Sequence, residues 1–420
     1  MLITSIISAI GNNNSVYPLI VRDCGIEVPT KIILTYNQNK KESKEVAKLA
    51  ARERTMDEYA VSAVWLGGIP LVGKIADYFI RKKGFNPDVN LKLFKNSSVQ
   101  NIDENIKNFK GKVPDKIIDE LIKVKNNKSV YEKLLAYKFI ASTAIPILFM
   151  GVILPKLIFA SSAKKIEQQR AKEAKNKNLN FAAKENIQKS IDFMTDKKIS
   201  FKGNWVSTAA NFSTVDKMFI TDGGYAVGRV ATARNKYEAI DVGFKMAGMM
   251  FLNFIAPKYI AKFLDSVFNV SLDPLMLADK SFVEAVKNNK LKLPESGSEK
   301  EILKFIDNNP NSIFVKFARK FNKVKLLDNG IRDPRAYVDT QDLAKFSSDI
   351  KKFIKNAKSA KSIENYALKS KRIKSMSILT NIALSSALLA YGLPKAQFAF
   401  RKLVTGSDLE PGLAPAKKVL

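Results

Sequence analysis

SMSILTNIALSSALLAYGLP, residues 375–394, is a run of twenty uncharged residues set between Lys374 and Lys395. A helix rises about 1.5 Å per residue, so a run of about 20 apolar residues matches the hydrocarbon thickness of a bilayer. This stretch therefore predicts a transmembrane helix, and it sets the scale for the other apolar blocks. FIASTAIPILFMGVILP (139–155) continues past Lys156 as LIFASSA to residue 163. Lys156 can run its aliphatic stem along the apolar surface and place its ammonium at the interface, so it does not veto a span. Two spans are expected, near 139–161 and 375–395.

Two further blocks are shorter. YAVSAVWLGGIPLVG (59–73) holds Gly67, Gly68 and Pro70, which bend or break a helix, and MAGMMFLNFIAP (246–257) lies between Lys245 and Lys258. Both are expected to be re-entrant, interfacial or buried rather than crossing. Pro146 and Pro155 predict kinks that neighbouring helices can accommodate. The pairs Pro155-Lys156, Pro257-Lys258 and Pro394-Lys395 end three blocks, but at unequal spacings, and read as a helix-end device without a regular repeat.

The fold class expected is mainly α: a helical membrane protein with kinked or re-entrant proline-containing apolar helices and polar helical loops. Residues 17–36, YPLIVRDCGIEVPTKIILTY, are rich in β-branched and aromatic residues around a central DCG, which predicts a short β-like N-terminal hairpin. Ahead of it, Leu2, Ile3, Ile6, Ile7 and Ile10 suit a short helix lying against the core or the membrane surface. No basic residue precedes them, and the GNNNS that follows interrupts the apolar pattern, which disfavours a cleaved signal peptide. The chain divides into 1–58 (N-terminal helix and hairpin), 59–163 (first membrane-associated region), 164–235 (basic polar connector), 236–262 (short apolar helix), 263–344 (polar helical module with turns at SLDP, LPESGS, DNNPNS and LLDNGIRDP) and 345–420 (basic amphipathic helix and C-terminal span).

Across 420 residues, 70 basic side chains against 40 acidic ones give a formal charge of +30, which attracts anionic lipid headgroups or nucleic-acid phosphates. A compositional bias toward lysine and asparagine is an alternative source of that excess. The chain has no histidine, which removes the Ser-His and Cys-His nucleophile pairs and histidine metal ligation. Its single cysteine, Cys24, has no partner for an intramolecular disulfide. Neither a metal site nor a cofactor is expected. GGYAVGRV (223–230) nearly matches a phosphate-binding loop, yet Arg229 and Val230 stand where the lysine and hydroxyl are required; a turn and helix start after Asp222 is the expectation.

From Asp342 onward, Leu343, Phe346, Ile350, Phe353 and Ala357 recur at helical spacing, and Lys345, Lys351, Lys352, Lys355 and Lys358 fill the remaining surface. With Lys371, Arg372 and Lys374 they form a basic region leading into the last span, the candidate binding surface for anionic lipids. The alternative is a solvated helix with its apolar stripe on the protein core. Its charge predicts a cytoplasmic start for the last span, and therefore a largely cytoplasmic polar region. If the end of the second span is also cytoplasmic, the third block cannot cross once.

Ala239, Gly243 and Ala247 form a small-residue stripe, and Ser377, Asn381 and Ser385 share one face of the last span; both sets are candidate helix-packing surfaces. Arg234, Glu238, Asp241 and Lys245 form a charged stripe, as do Lys74, Asp77 and Arg81. The function expected is a non-enzymatic membrane-embedded or membrane-associated scaffold that binds anionic lipids and a protein partner or a second copy. A small-solute or ion transporter is the first alternative, requiring the charged stripes to face a shared cavity. A basic nucleic-acid-binding protein is the second, weakened by the long uncharged blocks and the lack of a docking motif.

Overall fold

The computed structural model describes residues 2–11, 20–41, 44–95, 98–177, 210 and 214–406. These residues are nearly all helical, and no strand forms among them; Leu326 and Arg332 make an isolated antiparallel bridge. We number the helices α1 (Leu2–Gly11), α2 (Val28–Asn39), α3 (Lys44–Lys82), α4 (Ile102–Phe109), α5 (Asp115–Asn126), α6 (Lys128–Lys165), α7 (Thr214–Ala231), α8 (Lys236–Phe268), α9 (Pro274–Leu277), α10 (Lys280–Lys287), α11 (Glu299–Asn308), α12 (Ile313–Lys320), α13 (Thr340–Lys358) and α14 (Ile363–Thr405).

Helices α3, α6, α8 and α14, of 39, 38, 33 and 43 residues, are each long and apolar enough to cross a bilayer. The expectation that blocks one and three are too short is corrected. Their apolar runs are extended at both ends by charged residues that remain helical, so the helix is much longer than its uncharged portion.

Each of the four passes through a wide π turn, at Val64–Gly68, Phe149–Ile153, Phe251–Ile255 and Leu388–Gly392. In each case the turn ends two residues before a proline: Pro70, Pro155, Pro257 or Pro394. Proline has no N–H, and its ring clashes with the carbonyl four residues earlier. The wide turn moves that carbonyl aside. The residue before the proline then bonds five residues back: Ile69 N–H to Val64, Leu154 to Phe149, Ala256 to Phe251 and Leu393 to Leu388. The same arrangement precedes Pro29, after a π segment at Ile20–Glu27. Each long helix thus has one proline preceded by a local widening, while Pro146 of α6 sits in ordinary helix, and the recurrence that unequal proline-lysine spacings obscured is present in the backbone.

The N-terminal hairpin does not form. Residues 20–39 are helical throughout, and α2 packs along α3. Packing overrides the β preference of Ile32 and Ile33, and the buried face of α2 is Val28, Lys31, Thr35, Gln38 and Asn39, largely polar. The turn expected after Asp222 is also absent, because α7 runs unbroken through Gly223, Gly224 and Gly228. Among the residues of the basic connector, 178–209 and 211–213 lie outside the described residues.

The bundle formed by α2, α3, α6, α7, α8 and α14 is apolar outside and polar inside. Leu71, Tyr78, Ile145, Leu157, Tyr259 and Phe263 are all more than half exposed, whereas Asp57, Glu58, Glu238, Asp241, Lys245, Gln397 and Arg401 are buried. A protein in water has the opposite pattern; hydrocarbon solvent permits this one.

The polar regions between α3 and α6 and between α8 and α14 join into one body on one side of the bundle. A phenylalanine-rich core gathers Phe282, Phe305, Phe314, Phe317, Phe346 and Phe353 from α10 to α13. Its helices begin on side-chain caps: Asp273, Asp279, Ser298, Ser312 and Asp339 each accept a backbone N–H of the first turn. Gln100 and Val338 exchange two hydrogen bonds, at 2.7 and 3.0 Å, and Arg335 pairs with Glu120 at 2.9 Å, so the 83–127 segment is fastened to 326–340. Tyr337 packs against a second core of Ile80, Phe85, Leu93, Leu121 and Tyr131.

This junction fixes the relative direction of the long helices. The end of α3, the start of α6, the end of α8 and the start of α14 all adjoin the same polar body, so the start of α8 lies toward the opposite end of the bundle. Helix α7 runs alongside α6 in the same direction, from Lys217 near Phe139 to Gly228 against Gly151, and Ala210 ahead of it packs on the module-side core. The inference that the third block cannot cross is thereby replaced: α8 is long and apolar enough to cross, and it runs in the same direction as α3. With Cys24→Ser as background, Lys236→Cys and Lys290→Cys are expected to react with a membrane-impermeant maleimide from opposite sides of sealed vesicles. Labelling of both from one side would refute this topology.

Candidate functional site

The charges inside the bundle converge on one turn and a half of α3. Glu53, Arg54, Asp57 and Glu58 lie just before its apolar run, at spacings that place Glu53 with Asp57 and Arg54 with Glu58. Glu58 is the centre. It accepts Lys245 Nζ from α8 at 3.0 Å and Arg54 Nη1 at 3.2 Å, with Lys31 Nζ of α2 at 3.6 Å. Lys31 also pairs with Glu27, one turn earlier. Asp57 accepts Arg229 Nη2 from α7 at 3.1 Å. Arg234, in the short α7–α8 connection, reaches Glu53 at 3.4 Å and Glu238 at 2.7 Å. Asp241 takes a two-pronged contact from Arg401 of α14, at 2.9 and 2.7 Å, and a hydrogen bond from Gln397 at 2.8 Å.

Six carboxylates (Glu27, Glu53, Asp57, Glu58, Glu238, Asp241) therefore meet six basic groups (Lys31, Arg54, Arg229, Arg234, Lys245, Arg401). The chain's large positive excess is not located in this cluster. Pairing is what allows the cluster to exist, because an isolated ion in low dielectric loses several kcal/mol of hydration, roughly, that only a close partner offsets. The space left is small: the cleft beside Lys31, Arg54 and Lys245 holds about 10 Å³, on the scale of one water position.

The α8 stripe Arg234, Glu238, Asp241 and Lys245 is thus brought to Glu53, Glu58 and Arg401. The Lys74, Asp77 and Arg81 stripe goes elsewhere: Asp77 pairs with Lys138 of α6, and Arg81 with exposed Asp88. The two stripes do not share a cavity.

Close helix contact is made by other glycines than the sequence pattern suggests. Ala239 and Gly243 are half-buried and Ala247 is exposed; a Cβ on Gly243 would meet Val230 only at 3.8 Å. The tight crossing is between Gly151 of α6 and Gly228 of α7, where a Cβ on Gly228 would lie 2.9 Å from the Gly151 Cα. The Thr232 hydroxyl shares its one proton between the Gly228 carbonyl of its own helix, at 2.9 Å, and the Gly151 carbonyl, at 3.1 Å, which is the carbonyl that Pro155 leaves without its helical donor. Gly224-xxx-Gly228 is the readable small-residue signal for this crossing. Ser377 and Ser385 are buried and Asn381 is half-buried, with the Ser385 hydroxyl donating to Asn381 at 3.2 Å.

The apolar stripe of α13, Leu343, Phe346, Ile350, Phe353 and Ala357, is wholly buried in the phenylalanine core, so it is not a lipid-facing surface. Lys345, Lys351, Lys352, Lys355 and Lys358 remain exposed, although Lys351 donates to the carbonyls of Pro294 and Glu295. Asp349, whose carboxyl is pushed up by burial against a hydrogen bond from Ser271, feels Lys345, Lys352 and Asp265. Asp265 is the partner of Lys374 at the module end of the spans. Lys345 and Lys352 therefore sit near that junction, with Lys371 half-buried and Arg372 exposed on α14.

Glu53, Asp57, Glu58, Lys31 and Arg401 were not singled out by sequence because each lies outside an uncharged block. The available signal was the i,i+4 pairing of Glu27 with Lys31 and Arg54 with Glu58. Among the described residues no group of acidic and cysteine side chains could hold a metal ion. No family model, curated protein or solved structure matches the chain.

Removing one member of a buried pair strands the other. Arg401→Met is expected to destabilise the detergent-solubilised protein by about 3–5 kcal/mol, far more than Arg81→Met at an exposed pair, as measured by thermal unfolding. Gly228→Leu is expected to cost more than Gly243→Leu, since only the former meets backbone at under 3 Å. Equal losses in either comparison would contradict the assignment.

Proposed function

We propose that the chain is a non-enzymatic membrane-embedded scaffold that holds its helical module against a bilayer and binds anionic lipids. The observation that carries this reading is the paired interior. The charges of the Glu58 cluster pair with one another directly, and the cleft beside them leaves space on the scale of one water, which suits a fixed support better than a solute path. The fused polar body supplies a surface for a protein partner, and Lys345, Lys352, Lys371, Arg372 and Lys374 gather around the junction with the spans, where anionic headgroups would lie. Each basic group at a membrane surface contributes about 1 kcal/mol toward anionic lipid. Proximity within about 8 Å is needed at physiological salt. We assign the module to the cytoplasmic side on the same basis.

Transport is the competing reading, supported by the convergence of the Asp241 stripe with Glu58 at the bundle centre. Reconstitution separates the two. In mixed phosphatidylcholine and phosphatidylglycerol vesicles, the protein is expected to retain spin-labelled phosphatidylglycerol over phosphatidylcholine. Combined Lys345→Gln, Lys352→Gln, Lys371→Gln and Arg372→Gln should bring that selectivity close to parity. Unchanged selectivity would remove the lipid assignment, and a solute flux abolished by Asp241→Asn would establish transport instead.

A further inference from the structure

We propose that the cleft between α2, α3, α8 and α14 is a binding site for one small monovalent anion of halide size. Its polar lining consists of Lys31, Thr35, Arg54, Lys245 and Gln397, closed by Leu393 and Pro394. No carboxylate lines it, even though Glu27 and Glu58 pair with the same cations on their other sides. Lys31, Thr35, Lys245 and Gln397 are each at most 4% exposed.

Several hydrogen-bond donors in this lining are unspent. Lys245 gives one N–H to Glu58, which leaves two. Gln397 gives one amide N–H to Asp241, which leaves one. The Thr35 hydroxyl accepts from Arg54 Nε at 3.3 Å, and its own proton is uncommitted. Buried donors without acceptors are costly, so an occupant that accepts is favoured.

A water accepts but also brings two protons of its own, for which the side chains of the lining offer only the Gln397 amide oxygen and the remaining lone pair of the Thr35 hydroxyl. A halide only accepts, and its charge is attracted by three basic groups in low dielectric. The size argues in the same direction. About 10 Å³ admits a particle little larger than water and excludes a phosphate or an organic carboxylate. The ligand class is therefore distinct from the lipid headgroups assigned to the module junction, and the cleft lies among the spans, away from that junction.

The test uses the full-length protein in detergent without added lipid, with chloride or bromide exchanged for gluconate at constant ionic strength. Halide is expected to raise the unfolding temperature saturably relative to gluconate. Thr35→Val removes one donor at nearly constant shape and should weaken the apparent halide affinity about tenfold, while Lys245→Met should abolish the halide response. Bromide should give an anomalous scattering peak in the cleft of crystals grown with it. Equal unfolding temperatures in halide and gluconate for the native protein would overturn the site, as would a halide response unaltered by Thr35→Val. The Thr35→Val comparison stands even where Lys245→Met fails to fold.

Discussion

Glu58 is a carboxylate at the centre of a bundle whose outer surface is hydrocarbon-like, and the arrangement of the helices follows from how it is neutralised. Lys31, Arg54 and Lys245 reach it from α2, α3 and α8. Asp57, one residue earlier, is neutralised by Arg229 of α7, and Asp241, one helical turn before Lys245, by Arg401 of α14. Five helices are therefore tied to one another through charge rather than through apolar packing. The constraint is stringent because an apolar contact between helices in lipid merely exchanges one hydrocarbon neighbour for another, whereas an unpaired ion has no comparable substitute. Separating α14 from α8 would expose both members of the Asp241–Arg401 pair to low dielectric at once.

The repeated π turns act on a second level, that of the backbone. In three of the four long helices the charged cluster and the widened turn are close in sequence: Glu58 precedes Val64, and Lys245 precedes Phe251, by six residues, while Gln397 follows Gly392 by five. A proline in a helix interior frees a carbonyl, and a freed carbonyl in hydrocarbon needs a donor. At Pro155 a shared donor is visible: the Thr232 hydroxyl, bonded to the Gly228 carbonyl of its own helix, also reaches the Gly151 carbonyl because Gly151 and Gly228 let the two backbones touch. The proline, the wide turn and the glycine crossing are thus one device, in which the proline creates the need and the absent side chains allow a hydroxyl to meet it.

How much of this was readable from the sequence depends on which solvent each face meets. The apolar runs at 139–163 and 375–394 announced long helices because their exposed faces are almost wholly apolar, Lys156 and Thr380 being exceptions. The phenylalanine-rich module was legible for the opposite reason, since its helices have an ordinary apolar stripe and capped turns, as at SLDP and DNNPNS. Helix α2 reads as a hairpin because the face that it buries is Lys31, Thr35, Gln38 and Asn39, so apolar periodicity pointed at the wrong surface and β-branched content filled the gap. Glu53, Asp57 and Glu58 were hidden likewise: a polar helix inside a bundle and a polar helix in water have the same composition. The lengths of α3 and α8 were underestimated because their charged ends are paired within the bundle and so need not terminate the span.

The connection between bundle and module shows why the two behave as one body. Lys374 of α14 pairs with Asp265 at the end of α8, just where both helices leave the apolar belt. Beyond that point Asp273 caps α9 through the Leu275 N–H at 2.7 Å and also accepts the Ser8 hydroxyl of α1, at 2.8 and 2.9 Å to its two oxygens. Burial pushes the Asp273 carboxyl up, against those hydrogen bonds and nearby Lys374. Helix α1 in turn rests on α14 at Gly11, where a Cβ would meet Ile378 at 2.7 Å, while Leu2 and Ile3 point away, about three-quarters exposed. The N-terminal helix therefore lies in the angle between a span and the module, held by a polar contact to one and a glycine contact to the other. Its exposed apolar side chains, Leu2, Ile3 and Ile6, stand beside a span that Gly11 touches at Ile378, so contact with the hydrocarbon around that span would hold the module's orientation from a third side.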